Sequence, residues 1–143
     1  MTISAERCFN IILWLAGASH FVILAASFQV PSRLRWKQDL AQLMPFNRKM
    51  LWVQSGFTVL TIVAFGTLTL ALHDELFRGE RAALGLTCFI AIYWTARILV
   101  DAFYFSHNDW PKGSQFIIGH ILLTSLFVSL AASYWALFIW RVF

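Results

Sequence analysis

The sequence predicts an all-α integral membrane protein, an up-down bundle of four transmembrane helices with a short amphipathic interfacial helix in the first loop. Two observations carry this. Of 143 residues, 59% are hydrophobic and only 13% charged, more apolar surface than a soluble domain of this size can hide. The apolar residues also gather into four runs, 9–30, 51–72, 82–105 and 116–140. Each meets the roughly 20 helical residues needed to cross a hydrocarbon core about 30 Å thick. A transmembrane strand would alternate polar and apolar positions, and none of the runs does so. Together they read as one domain, 1–143.

The first span follows MTISAER, where Glu6 stands beside Arg7. A secretory signal would carry a cationic flank there, so the segment reads as a retained span. Pro31 is expected to end it, and Ser32 to cap a helix running to about Met44. On that helix Trp36, Leu40, Leu43 and Met44 share one side, with Arg35, Gln38, Asp39 and Gln42 on the other. The pattern suits a helix lying among lipid headgroups. Pro45 then breaks it, and Asn47, Arg48 and Lys49 lead into the second span.

That second span carries only neutral polar groups, Gln54, Ser55, Thr58 and Thr61, which suit helix–helix contacts. His73, Asp74 and Glu75 read as a solvated turn. Trp52, Trp110 and Trp140, the last beside Arg141, fit interfacial anchors.

Short connections make neighbouring helices antiparallel. Loops 31–50 and 106–115 then share one face, called basic here, and both termini lie on the other with the loop 73–81. Arg33, Arg35, Lys37, Arg48, Lys49 and Lys112 belong to the basic face, against Arg7, Arg78, Arg81 and Arg141 opposite. Because the positive-inside rule counts Lys and Arg, the basic face is expected to be cytoplasmic and both termini outside. The compartment expected is the cytoplasmic membrane of a prokaryote.

The third span holds formal charges, which are costly in hydrocarbon and mark sites. Tyr93, Arg97, Asp101 and Tyr104 recur at helical spacing on one face, where Arg97 and Asp101, one turn apart, can pair. His20 lies in the first span and His120 in the fourth, the latter sharing a face with Thr124, Phe127 and Ala131. Counted from the basic-face ends, Asp101 and His120 lie ~6 Å deep, Arg97 ~12 Å and His20 ~15 Å.

Three readings follow. One is a satisfied polar network that fixes helix register. A second is a b-type haem site ligated by His20 and His120 from facing helices, against which stands their ~9 Å difference in depth. The third is a proton-linked or ligand site built from His20, His120, Arg97, Asp101, Tyr93 and Tyr104. Its mouth would be His107, Asn108, Asp109 and Lys112, and lipid headgroups and quinones belong among its ligands.

No His-rich iron box, Ser nucleophile motif or Gly-rich phosphate loop occurs, so no catalytic residue is assigned. Cys8 and Cys88 lack a CxxC partner and read as packing residues. The net charge of +4 comes from residues flanking spans, which does not suggest nucleic acid. The partners expected are the lipid bilayer and, if the chain is a non-catalytic subunit instead, other membrane proteins.

Overall fold

A computed structural model of the chain describes residues 2–105 and 113–143. Its regular structure there is helical throughout: α1 (Thr2–Ser27), α2 (Val30–Arg33), α3 (Trp36–Asp39), a 3-10 turn (Leu40–Gln42), α4 (Pro45–Ala71), α5 (His73–Arg78), α6 (Arg81–Phe103) and α7 (Ser114–Val142). Four helices are long and apolar enough to cross a membrane: α1 with its continuation, α4, α6 and α7.

The first loop departs from the expected single helix. Pro31 sits in the first turn of α2, where its missing N–H costs nothing, so it does not end the helical path. The Ser32 hydroxyl donates back to the Gln29 carbonyl at 3.1 Å and caps nothing. The break falls at Arg35, whose φ of 52° is left-handed and interrupts the hydrogen-bond ladder. Residues 36–44 are therefore split into α3, the 3-10 turn and an extended exit at Leu43. Pro45 opens α4 well before residue 51, for the same reason that Pro31 opens α2. Trp36 packs edge-on against Trp52, tying this loop to α4.

Residues 73–78 correct a second expectation. They form α5, with His73 and Leu76 buried, and Gly79 closes the helix at φ 73°, a left-handed cap that glycine adopts without strain. The His73 ring stacks on Trp14 at 4.5 Å and its Nδ1 lies 3.2 Å from Asp74.

Packing is pairwise: α1 lies along α4, and α6 along α7, with α1 also touching α7. The beginning of α1 meets the end of α7 where Phe9 stacks on Trp140 at 4.4 Å. The end of α2 reaches the beginning of α7, where Arg33 donates to Gln115 at 3.0 Å. Between α4 and α6, the Phe65 ring meets Phe89 and Tyr93 edge-on.

Burial is uneven along these helices. Every buried residue described lies within 13–24, 62–94 or 127–137, and none within 25–61, 95–105 or 113–126. The core therefore sits toward the end that holds the termini and α5. Toward the end that holds loop 31–50, the same helices pack loosely.

Close approach of α1 and α4 depends on Gly66. A methyl group there would stand 3.0 Å from the Cβ of His20 and 2.8 Å from the Phe21 ring, whereas one at Gly85 would meet nothing. Gly66→Ala is expected to cost about 1–3 kcal/mol through overpacking. Gly85→Ala should stay within about 0.5 kcal/mol of the parent. Reversible denaturation of both variants in detergent checks the contrast.

Candidate functional site

The expected polar residues divide into two groups, one inside the core and one at its loose end. His20 belongs to the core and is 0% exposed. Trp94 donates its indole N–H to His20 Nε2 at 3.1 Å, and Nδ1 lies 2.8 Å from the Ala16 carbonyl. An indole nitrogen can only donate, so Nε2 must be the accepting nitrogen. Nδ1 then carries the proton and donates to Ala16, and the ring is neutral. Phe65, Trp94 and Tyr134 surround that ring at centroid distances of 6.1, 5.6 and 5.9 Å. One helix further, the Tyr134 hydroxyl meets Thr69 at 2.6 Å, fully buried.

This placement corrects the grouping of His20 with the charged residues. Its Nε2 lone pair is engaged by Trp94, its Nδ1 is protonated, and three aromatic rings enclose it. His20 so arranged does not fit an iron ligand, which needs a free lone pair and room for a macrocycle beside it.

The second group lies where α6 and α7 meet at the loose end. Thr124 donates to Asp101 Oδ2 at 3.1 Å, and His120 Nε2 lies 3.4 Å from both that oxygen and the Thr124 hydroxyl. The Asp101 side chain is 13% exposed and that of His120 27%, so the cluster is sheltered yet reachable. Helix geometry explains it: His120 and Thr124 are one turn apart on α7 and present both polar groups to one point on α6.

Arg97 does not pair with Asp101 among the described residues, contrary to the expectation from their spacing. Four residues apart places two side chains on one face but leaves each free to lean elsewhere. Asp101 reaches across to α7, and the Arg97 guanidinium lies over the Phe127 ring, 5.4 Å from its centroid. Phe127 is buried and stacks on Trp94 at 4.9 Å, so this aromatic pair separates the core from the open cluster.

Tyr93 is half-buried, with its ring against Phe65 and Trp94, and belongs to the aromatic layer. Tyr104 is 80% exposed and touches Phe105, so it does not join the cluster. His107 and the expected mouth residues Asn108, Asp109 and Lys112 lie outside the described residues.

Sequence reasoning missed Trp94, Tyr134 and Thr69. A signal was present: Trp94 and Tyr134 fall well inside their runs, away from the interfacial positions that polar aromatics favour. A buried N–H or O–H at such depth demands a partner, and His20 and Thr69 were the available ones. Among the described residues no three His, Cys, Asp or Glu side chains gather to hold a metal, and Cys8 and Cys88 are free thiols.

No family model, curated protein or solved structure matches this chain.

The two groups should respond differently to loss of a hydroxyl. Tyr134→Phe strands a buried Thr69 hydroxyl and is expected to cost about 1–3 kcal/mol. Thr124→Val, in the partly open cluster, should cost less than about 1 kcal/mol. Denaturation midpoints in one detergent decide between them.

Proposed function

We propose that this chain is an integral membrane protein whose Asp101–His120–Thr124 cluster is a proton-linked binding site for a small molecule, reached from the basic face. Its four long helices cross the bilayer in an up-down bundle, with loops 31–50 and 106–115 cytoplasmic and both termini outside. The six-to-four excess of Lys and Arg on those loops supports this orientation. The cytoplasmic membrane of a prokaryote fits the same rule.

One observation carries the functional reading: a carboxylate, an imidazole and a hydroxyl from two helices converge in the loosely packed half of the structure. Histidine is the side chain that gains and loses a proton near neutrality. Asp101 Oδ2 stands within a short movement, or one water, of receiving a proton from His120 Nε2. Thr124, donating to the same oxygen, holds the carboxylate in line. Below this cluster Phe127, Trp94, Phe65, Tyr134 and His20 form a closely packed layer, which favours a site open on one side over a pore. A ligand that accepts or donates a hydrogen bond at the cluster would draw on that proton; quinone and lipid headgroups qualify. Haem is not favoured, because His20 Nε2 already accepts from Trp94 and its Nδ1 carries the proton given to Ala16.

A second reading, a non-catalytic subunit of a larger membrane complex, has one observation behind it. On α7 the small residues Ser125, Ser129, Ala132 and Ala136 form an exposed stripe. The hydroxyls of Ser125 and Ser129 are turned back onto the helix, leaving a face that another helix could approach closely.

Infrared difference spectroscopy of the reconstituted protein, acidic minus neutral, tests the first reading. A protonated-carboxyl band is expected that vanishes in Asp101→Asn and shifts in His120→Gln. A band indifferent to His120→Gln would mean that the pair does not share a proton. In a background without Cys8 and Cys88, Thr124→Cys should react with a membrane-impermeant maleimide added on the basic side. Labelling from the other side alone would reverse the orientation.

A further inference from the structure

We infer that Arg97 is the recognition point for an oxyanion, a carboxylate or phosphate group that the described residues do not supply. The inference rests on the reading of the loose end as a binding site and names the chemistry of its ligand. Three observations lead to it.

The first is the absence of a counter-charge among the described residues. Within the four runs 9–30, 51–72, 82–105 and 116–140, Asp101 is the sole carboxylate. Its Oδ2 is turned to Thr124 and His120 on α7. Among the described residues no acceptor meets the Arg97 guanidinium, which has only the face of Phe127 beneath it. A ring face leaves the five N–H donors of a guanidinium pointing outward from its edge, unused. A permanent charge at this depth, ~9 Å inside the end of α6 at Phe103, calls for an anion.

The second is direction. Phe127 is buried and stacked on Trp94, and Arg97, whose guanidinium lies over its ring, is itself only half-buried. A small anion or a headgroup entering from the loose end could reach its edge.

The third is company. Tyr93, one turn deeper on the same face, lies within electrostatic reach of Arg97, and its hydroxyl has no hydrogen-bond partner among the described residues. A planar fork and a neighbouring O–H, both without acceptors, match the lone pairs of a carboxylate or phosphate. The approach is positively charged as well: Arg33 stands at the α2–α7 junction, held by Gln115, and Arg48 lies in the first turn of α4. No described residue of α4 before Ile62 is buried, so that side of the approach is not packed shut.

The oxyanion can come from a lipid or from water, and the test separates the two. Wild-type protein in neutral-lipid nanodiscs is titrated by calorimetry with oleate and phosphatidate as lipid oxyanions, and with acetate and inorganic phosphate as soluble ones. Saturable binding of at least one probe is expected. Arg97→Gln should weaken it about 10- to 100-fold, the loss that follows removal of a charge-assisted hydrogen bond. Arg97→Lys, which keeps the charge and loses the fork, should fall between. Ser125→Ala, on the exposed side of α7, is the control and should bind as the parent does. Oleate or phosphatidate binding without acetate or phosphate binding assigns a lipid source, and the converse a soluble one.

No saturable binding to the wild type, or equal affinity in Arg97→Gln, overturns the inference. The infrared band of Asp101 and His120 is scored separately. If it behaves as expected while anion binding fails, the site stands and its ligand is not an oxyanion. If the band fails while Arg97-dependent binding holds, the shared proton is wrong and the anion site is right.

Discussion

The structure depends on one hydrogen bond, from the Trp94 indole to the Nε2 of His20. A buried polar group needs a hydrogen-bond partner, and this contact satisfies two at once. It also fixes the proton of His20 on Nδ1, where the Ala16 carbonyl takes it. Around that ring the four long helices meet: α1 supplies the imidazole, α6 the indole, α4 the edge of Phe65 and α7 the edge of Tyr134. Tyr134 then closes the circuit back to α4 through Thr69. Where helices pack within a bilayer, a hydrogen bond between them is worth about 0.6 kcal/mol on average and up to about 2. Its larger effect is geometric, since a misplaced helix would leave a polar atom stranded.

The same layer divides the molecule into two environments. On one side lie the apolar core and the aromatic and cationic side chains of Phe9, Phe77, Trp140 and Arg141, stacked near both termini. On the other lies the loose end, where Asp101, His120, Thr124 and Arg97 are sheltered without being sealed. Gly66 lets α1 and α4 close against each other in the core, whereas Gly56 and Gly119, nearer the opposite end, have no neighbour within 4 Å of a Cβ placed there.

Much of this was legible in the residues. Four runs of spanning length specify the four long helices, because apolar composition and length alone decide which segments can be buried in a bilayer. Helical spacing also placed Arg97 with Asp101, and His120 with Thr124, on shared faces. Spacing does not say where a long side chain leans, and so it misjudged the Arg97–Asp101 pair. Nor does depth along a helix separate His20 in the core from His120 at the open end. That distinction comes from Trp94 and Tyr134, whose polar atoms required partners at mid-run. The first loop failed for a local reason, a left-handed residue at Arg35 that is not a glycine and that no residue pattern announces. Residues 73–78 looked polar enough for a turn, but Leu76 and the His73 ring found apolar cover against α1.

A double-mutant cycle between His20 and Trp94 tests this account most directly. Trp94→Phe, His20→Leu and the combined variant are unfolded reversibly in the same detergent. A coupling energy of about 1 kcal/mol is expected, because each single substitution leaves the other partner's buried polar atom unsatisfied. Losses that add to within about 0.3 kcal/mol would contradict the account. The indole and the imidazole would then be packing residues, and the layer that separates core from site would need another origin.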